Sequence, residues 1–163
     1  MAVIVPNAFP AGISTQETHL TSTWTFVAGT TGAIAAHILF TITGRVFVNL
    51  FTAFCTTTLT SGGTPAITVG STSDLDGFIL APTGGAPGIV TNDWWLTAVT
   101  PQLVGGPTSV VTGGTLTSAR FKVLAENIVL DIPTATVTGG VMVWDVWYTP
   151  ITSDGALAVT TPA

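Results

Sequence analysis

Charged side chains are scarce in this sequence. Of its 163 residues only 11 are charged, eight acids and three bases, which is 7% where about 25% is usual. The net charge is −5, and Arg120 and Lys122 are the only two bases that lie close together along the chain. No cluster of bases is available to neutralise a run of phosphates. We therefore expect no direct binding to nucleic acid.

Cysteine and histidine are almost missing as well. Cys55 is the single cysteine, which excludes an internal disulfide framework, and its apolar neighbours predict a position in the core. The only other soft or nitrogen ligands, His19 and His37, stand at no spacing typical of a metal site. The sequence predicts neither a metal nor another cofactor.

Long hydrophobic runs are also absent. The most apolar stretch, residues 33–55, contains His37, Arg45 and Asn49 and no unbroken run of 18 apolar residues. The first residues lack the basic segment of a secretory signal, and Pro6 interrupts their apolar run. We expect no secretory signal and no membrane partner.

What the chain does have is residues that favour strands and turns. Thr, Val and Ile number 32, 18 and 11, and 18 glycines with 10 prolines divide the chain into short segments. This pattern is typical of a sandwich or jelly roll. We predict an all-β protein with one antiparallel β-sandwich or jelly-roll-like domain over residues 21–163. An extended N-terminal arm over residues 1–20 precedes it.

Several strands can be placed between the turns. Residues 21–27 alternate in polarity, and the turn Gly29–Gly32 that follows predicts a hairpin. Near Glu126 and Asn127 the apolar positions change parity, which predicts a bulge or a turn. Further strands are predicted at Ala66–Ser71, Phe78–Ala81, Trp94–Val99 and Val141–Ile151.

Two segments that meet at Gly44 are apolar on both faces. In residues 45–59 the even and the odd positions both carry large apolar side chains, with Asn49 as the main polar interruption. A strand in a two-layer sandwich buries only one face in the core. We therefore expect a further layer or a neighbouring protomer to cover the second face.

Motifs for catalysis are missing. The chain has no Gly-x-Ser-x-Gly nucleophile elbow and no Gly-Lys-Ser/Thr phosphate loop. Asp74-Leu75-Asp76-Gly77 begins like a calcium loop but continues into the apolar segment 78–81 without the bidentate glutamate that calcium needs. We interpret it as an acidic turn, and we predict no enzyme and no catalytic residue.

The aromatic residues suggest an interaction surface. In Asp93-Trp94-Trp95-Leu96 the tryptophan doublet places one ring on each face of a strand. This arrangement fits a protein interface, a carbohydrate-binding platform, or one ring that fills the core while the other covers the edge of the core. Trp144 or Trp147 is expected at a contact between subunits, because tryptophan is enriched there. The predicted interface residues are Val3, Ile4, Val5, Pro6, Phe9, Trp94, Trp95, Trp144 and Trp147.

The order of turns and strands resembles a family of small tailed-bacteriophage virion structural proteins, and within it capsid decoration (cement) proteins. The resemblance covers most of residues 24–156. It rests on Phe26–His37, Leu39–Gly44, Leu59–Gly63, Ile67–Gly70, Asp76–Ala81 and Ile151–Ala156.

The resemblance implies a protein without catalysis that stabilises the phage head by binding across capsomers. It implies a homo-oligomer, most commonly a trimer, that contacts the major capsid protein on the outer surface of the capsid. Residues 2–13 of the arm would lie on the shell or on a neighbouring protomer, where an extended segment can pair with an exposed strand edge. The alternative is a tail- or fibre-associated receptor or glycan-binding module that uses Trp94 and Trp95.

Overall fold

The computed structural model describes residues 16–79, 81, 85–95 and 122–161. Within these ranges the chain forms ten β-strands and one short 3-10 turn, Ala86–Gly88. The strands make two five-stranded sheets in which every pair of neighbours is antiparallel. The predicted all-β class is confirmed, and the two layers give a β-sandwich-like architecture.

The two sheets interleave along the chain. Sheet A contains, from one edge, β1 (Thr18–Thr25), β9 (Val137–Pro150), β3 (Val46–Ser61) and β6 (Trp94–Trp95), with β7 (Lys122–Leu124) also paired to β3. Sheet B contains, in order, β10 (Ala156–Val159), β2 (Ala35–Thr43), β8 (Ile128–Ile132), β4 (Thr68–Ser71) and β5 (Asp74–Ile79).

Aromatic rings join the two sheets at the centre of the core. Phe51 of β3 meets Phe40 of β2 edge to face, with ring centroids 6.2 Å apart. On the same side it lies 5.3 Å from Phe78 of β5 and 6.1 Å from Trp144 of β9. All four side chains are buried. Because rings of this size dominate core energetics, this cluster holds the layers together.

The turn Gly29–Gly32 is present, but the predicted hairpin is wrong. β1 pairs with β9, whereas β2 pairs with β8 and β10, so the chain crosses from sheet A to sheet B at this point. Thr31 fixes the crossing: its hydroxyl donates to the carbonyl of Thr25 at 2.6 Å and accepts the N–H of Val27 at 2.9 Å. The indole of Trp24 donates to the carbonyl of Thr31 at 3.1 Å.

Thr31→Val is expected to lower the free energy of unfolding by about 1–3 kcal/mol, because two backbone groups lose the buried Thr31 hydroxyl as their partner. Thr30→Val is the matched control, since Thr30 is an exposed neighbour in the same turn. Its expected effect is within about 0.5 kcal/mol. Urea unfolding of both variants measures the difference, and equal small losses would contradict the role given to Thr31.

A bulge in β3 changes the interpretation of its two apolar faces. Between Val48 and Leu50 the strand advances two residues while β9 advances one, so Asn49 is the extra residue. The amide of Asn49 donates to Glu17 at 2.7 Å and to Thr149 at 3.1 Å. Because the bulge reverses parity, residues 46 and 48 before it and residues 51, 53 and 55 after it are all buried. The outer side retains fewer apolar residues than the sequence predicted.

The parity change near Glu126 marks a turn between the sheets. β7 belongs to sheet A and β8 to sheet B, with a bend at Ala125 and Glu126 between them. The carboxylate of Glu126 accepts the N–H and the hydroxyl of Ser73, at 2.8 and 2.7 Å. The predicted turn is therefore confirmed, and it connects layers rather than bending one strand.

The N-terminal boundary differs from the prediction. β1 starts at Thr18, so residues 18–20 belong to sheet A rather than to an arm. The predicted interface residues Val3, Ile4, Val5, Pro6 and Phe9 lie outside the described residues, as do residues 96–99 of the predicted strand Trp94–Val99. In the part of the chain that is described, no helix is long and apolar enough to cross a membrane.

Candidate interaction surface on sheet A

The tryptophan doublet places its rings on opposite faces of sheet A. Trp95 is 1% exposed and packs in the core, with its ring centroid 5.9 Å from that of Trp144. Trp94 is 41% exposed and lies on the outer face, where its ring is 4.8 Å from that of Phe54. The alternation expected from the sequence therefore holds for this pair.

The predicted interface roles of Trp95 and Trp144 do not fit their positions. From Met142 to Tyr148 the even residues of β9 are buried in the core, and Trp144 among them is fully buried. A side chain inside the sandwich cannot contact another folded subunit, so these two rings are core residues. Trp147 stands at an odd position of β9 and is only half-buried on the outer face, where an intersubunit contact is possible.

The outer face of sheet A brings together residues that are distant in the sequence. Three rows run across β1, β9 and β3, and the first continues to β6. The rows are Thr23, Val143, Phe54 and Trp94; then Thr21, Asp145 and Thr52; then His19, Trp147 and Leu50. We call the five apolar members, Leu50, Phe54, Trp94, Val143 and Trp147, the outer apolar patch.

A single carboxylate lies between the two apolar rows. One oxygen of Asp145 accepts the hydroxyl of Thr21 at 2.6 Å and lies 2.7 Å from Nε2 of His19. The imidazole of His19 stacks on the Trp147 indole, with centroids 4.3 Å apart and planes 12° from parallel. The acid is therefore partnered within the sheet, which lowers the cost of covering this face with another protein surface.

The same geometry limits what this cluster can do chemically. The Thr21 hydroxyl is 2.6 Å from the Asp145 carboxylate and 3.4 Å from His19. The hydroxyl of Thr21 thus donates to the carboxylate rather than to the imidazole. The arrangement positions His19 over Trp147.

Cys55 is a core thiol, as predicted. It is fully buried, and its Sγ donates to the carbonyl of Thr57 at 3.2 Å. Burial, with a smaller contribution from the negative charge of Asp93, raises the pKa of Cys55 from 9.0 to about 11. Since the thiolate is the reactive form, this position disfavours reaction with electrophiles.

The thiol of Cys55 is expected to react with an aromatic disulfide reagent at pH 8 only when the protein opens. The reaction should be fast in denaturant and many times slower in buffer. Because folding raises its pKa, Cys55 contributes stability below pH 9 that is lost as the pH rises toward 11. Labelling in buffer as fast as in denaturant would contradict this burial.

The other candidate ligands are occupied in structural contacts. His37 hydrogen bonds through Nε2 to the carbonyl of Ala33 at 2.9 Å. Asp74 starts β5 and lies 3.7 Å from the ammonium of Lys122, which also donates to the carbonyl of Gly77. The acidic segment is thus a strand beside a turn rather than the turn itself. Among the described residues no three His, Cys, Asp or Glu side chains group as metal ligands would.

Comparison of the chain with protein-family models, with curated proteins and with solved structures found no match. The outer apolar patch is therefore interpreted from its own geometry.

Sequence reasoning identified two of the five patch residues, Trp94 and Trp147, and missed Leu50, Phe54 and Val143. The bulge at Asn49 decides which side Leu50 and Phe54 occupy, and no local pattern marks it. The apolar alternation of β9 was visible, and the parity of Asp145 could have identified the outward side of that strand.

Proposed function

We propose that this protein is a non-enzymatic structural protein of a phage virion. In this proposal it is a capsid decoration protein that binds across capsomers as a homotrimer. Its partners are its own copies and the major capsid protein, and its place is the outer surface of the capsid. Jelly-roll connectivity and the extended N-terminal arm belong to the same proposal.

The outer apolar patch is the observation that carries this proposal. Trp94 keeps 41% of its surface exposed, and its four patch neighbours remain partly exposed on the same face. Apolar side chains gathered on one partly exposed face are a feature of protein interaction sites. The link to phage heads comes from the sequence resemblance, and the low charge of the chain agrees with extensive contact between subunits.

The contacts around the patch favour a static role. Rings that contact each other in pairs, Phe54 with Trp94 at a tilt and His19 stacked on Trp147, form a preformed surface with little side-chain entropy left to lose. The hydroxyls of Thr21 and Thr23 lie along one side of the patch and give it a polar rim. An apolar centre with a polar rim is the usual anatomy of a protein interface.

Deletion of residues 2–13 is expected to weaken attachment to capsid shells more than it lowers the melting temperature. The segment has few periodic apolar positions, and the described strands of sheet A pair with one another without it. Sedimentation with purified shells measures attachment, and thermal unfolding of the free protein measures the fold. Equal losses in both measurements would contradict a role of this segment in attachment.

A glycan-binding module of a tail or fibre is the second candidate, and the exposed ring of Trp94 favours it. An indole face can stack on a sugar, and the threonine hydroxyls of β1 lie in the adjoining rows. Trp94→Ala is the informative variant, because Trp95 is buried and its replacement would disturb the core. Glycan binding that Trp94→Ala abolishes, with no attachment to shells, would favour this candidate over decoration.

A further inference from the structure

The four edges of the two sheets differ in how well they are protected from pairing with another chain. At one edge of sheet B, β10 is only four residues long, whereas β6 and β7 at the second edge of sheet A adjoin residues outside the described ranges. β5 has six residues, but it carries Asp74 and Asp76, and Lys122 binds the carbonyl of Gly77 at its edge. Short length and charge are the usual devices that prevent added strands.

β1 has none of these devices. It is eight residues long and contains no Pro, Gly, Asp, Glu, Lys or Arg. It pairs with β9 without a bulge from Thr18 opposite Tyr148 to Thr25 opposite Val141. Its one ionisable side chain, His19, already contacts Asp145 and Trp147. No strand of the described ranges pairs with the opposite side of β1.

We propose that the open edge of β1 binds residues 2–13 of a neighbouring copy as an added antiparallel strand. This inference rests on the homo-oligomer of the proposed function and identifies the contact that builds it. Fifteen residues precede Gln16, and none of them is charged, which matches an uncharged edge. Val3, Ile4 and Val5 are β-branched and favour an extended backbone.

The two prolines of this segment fit one face of such a pairing. In an antiparallel ladder only alternate residues of an added strand bond to its neighbour, and the others direct their N–H away. Pro6 and Pro10 share even parity, so both can occupy positions that donate no hydrogen bond to β1. The odd residues, from Val3 to Phe9, then keep every N–H that the ladder needs.

A neighbouring copy fits this edge better than the same chain does. The carboxylate of Glu17 accepts a hydrogen bond from Asn49 of β3, which holds the entry to β1 on the side away from its open edge. Residues 13–17, Ile-Ser-Thr-Gln-Glu, also lack the Gly, Asn or Asp of a tight hairpin. If each copy gives its segment to the next copy in the same direction, three copies related by 120° rotations form a closed ring.

Two proline variants of the full chain test the proposed pairing. Asn7→Pro removes an N–H at an odd position, and Ala8→Pro removes one at an even position. Asn7→Pro is expected to raise the dissociation constant of the oligomer by up to about tenfold, as loss of one hydrogen bond implies. Ala8→Pro should leave that constant within about twofold, and both variants should unfold like the unmodified protein.

Sedimentation over a concentration series separates the outcomes. Loss of the oligomer in Asn7→Pro alone supports the exchanged strand. An oligomer that persists in both variants overturns the exchanged strand while the proposed oligomer stands. Equal weakening of the oligomer by both variants overturns the assignment of the odd residues to the hydrogen bonds with β1. An unmodified protein that is monomeric at all concentrations overturns the exchange together with the homo-oligomer.

Discussion

Trp144→Ala is expected to lower the free energy of unfolding by about 3–5 kcal/mol. The indole is fully buried, 6.1 Å from the ring of Phe51 and 5.9 Å from the ring of Trp95. Its removal leaves a cavity where the aromatic cluster joins the two sheets. Urea unfolding followed by circular dichroism measures the loss.

Trp147→Ala is the matched control for this prediction, since it removes the same side chain three residues later on the opposite face of β9. Trp147 is half-buried, and the ring of His19 covers one of its sides. Its replacement should cost clearly less stability than that of Trp144. A normal unfolding curve for Trp144→Ala, or an equal loss in the two variants, would contradict the burial on which the fold description depends.

Trp94→Asp is expected to weaken binding to capsid shells by about 30-fold or more, the loss typical of a central interface residue. The substitution removes the most exposed ring of the outer apolar patch and places an unpaired carboxylate where a partner would cover it. Because 41% of Trp94 is exposed, the melting temperature should change little. Titration of labelled protein onto shells measures the affinity.

Leu75→Asp is the control for this second prediction. Leu75 is 38% exposed, similar to Trp94, but it lies on β5 of sheet B. It should bind shells like the unmodified protein. Equal weakening by the two substitutions would show that any added charge impairs binding, and unchanged binding of Trp94→Asp would remove the outer apolar patch from the contact.

The sequence predicted the strand class and the turns at Gly29–Gly32 and near Glu126 because these depend on local residue types, whereas the glycine pair at 139–140 lies within β9. The Gly29–Gly32 turn lies where its glycines indicate, and Trp94 and Trp95 alternate as neighbours in a strand must. The pairing of strands, in contrast, does not depend on local residue types. β1 lies beside β9 because Trp24 and Met142 bury the same face more than a hundred residues apart, and no local pattern encodes that pairing.

The candidate surface was predictable only in part for the same reason. Thr21, Asp145 and Thr52 form one row from three strands, and their sequence separations carry no motif. Asn49 was recognised as a polar interruption, but its effect as a bulge is to exchange the sides of β3. Further register shifts follow between Cys55 and Ser61, so the alternation of β3 holds from Leu50 to Cys55 but not over the whole strand.

Sedimentation velocity of the full chain at micromolar concentration tests the central claim most directly, namely that the protein acts as a homo-oligomer. The account predicts a species of about 50 kDa, three times the chain mass of 16.6 kDa. A single stable species of 16.6 kDa would contradict it.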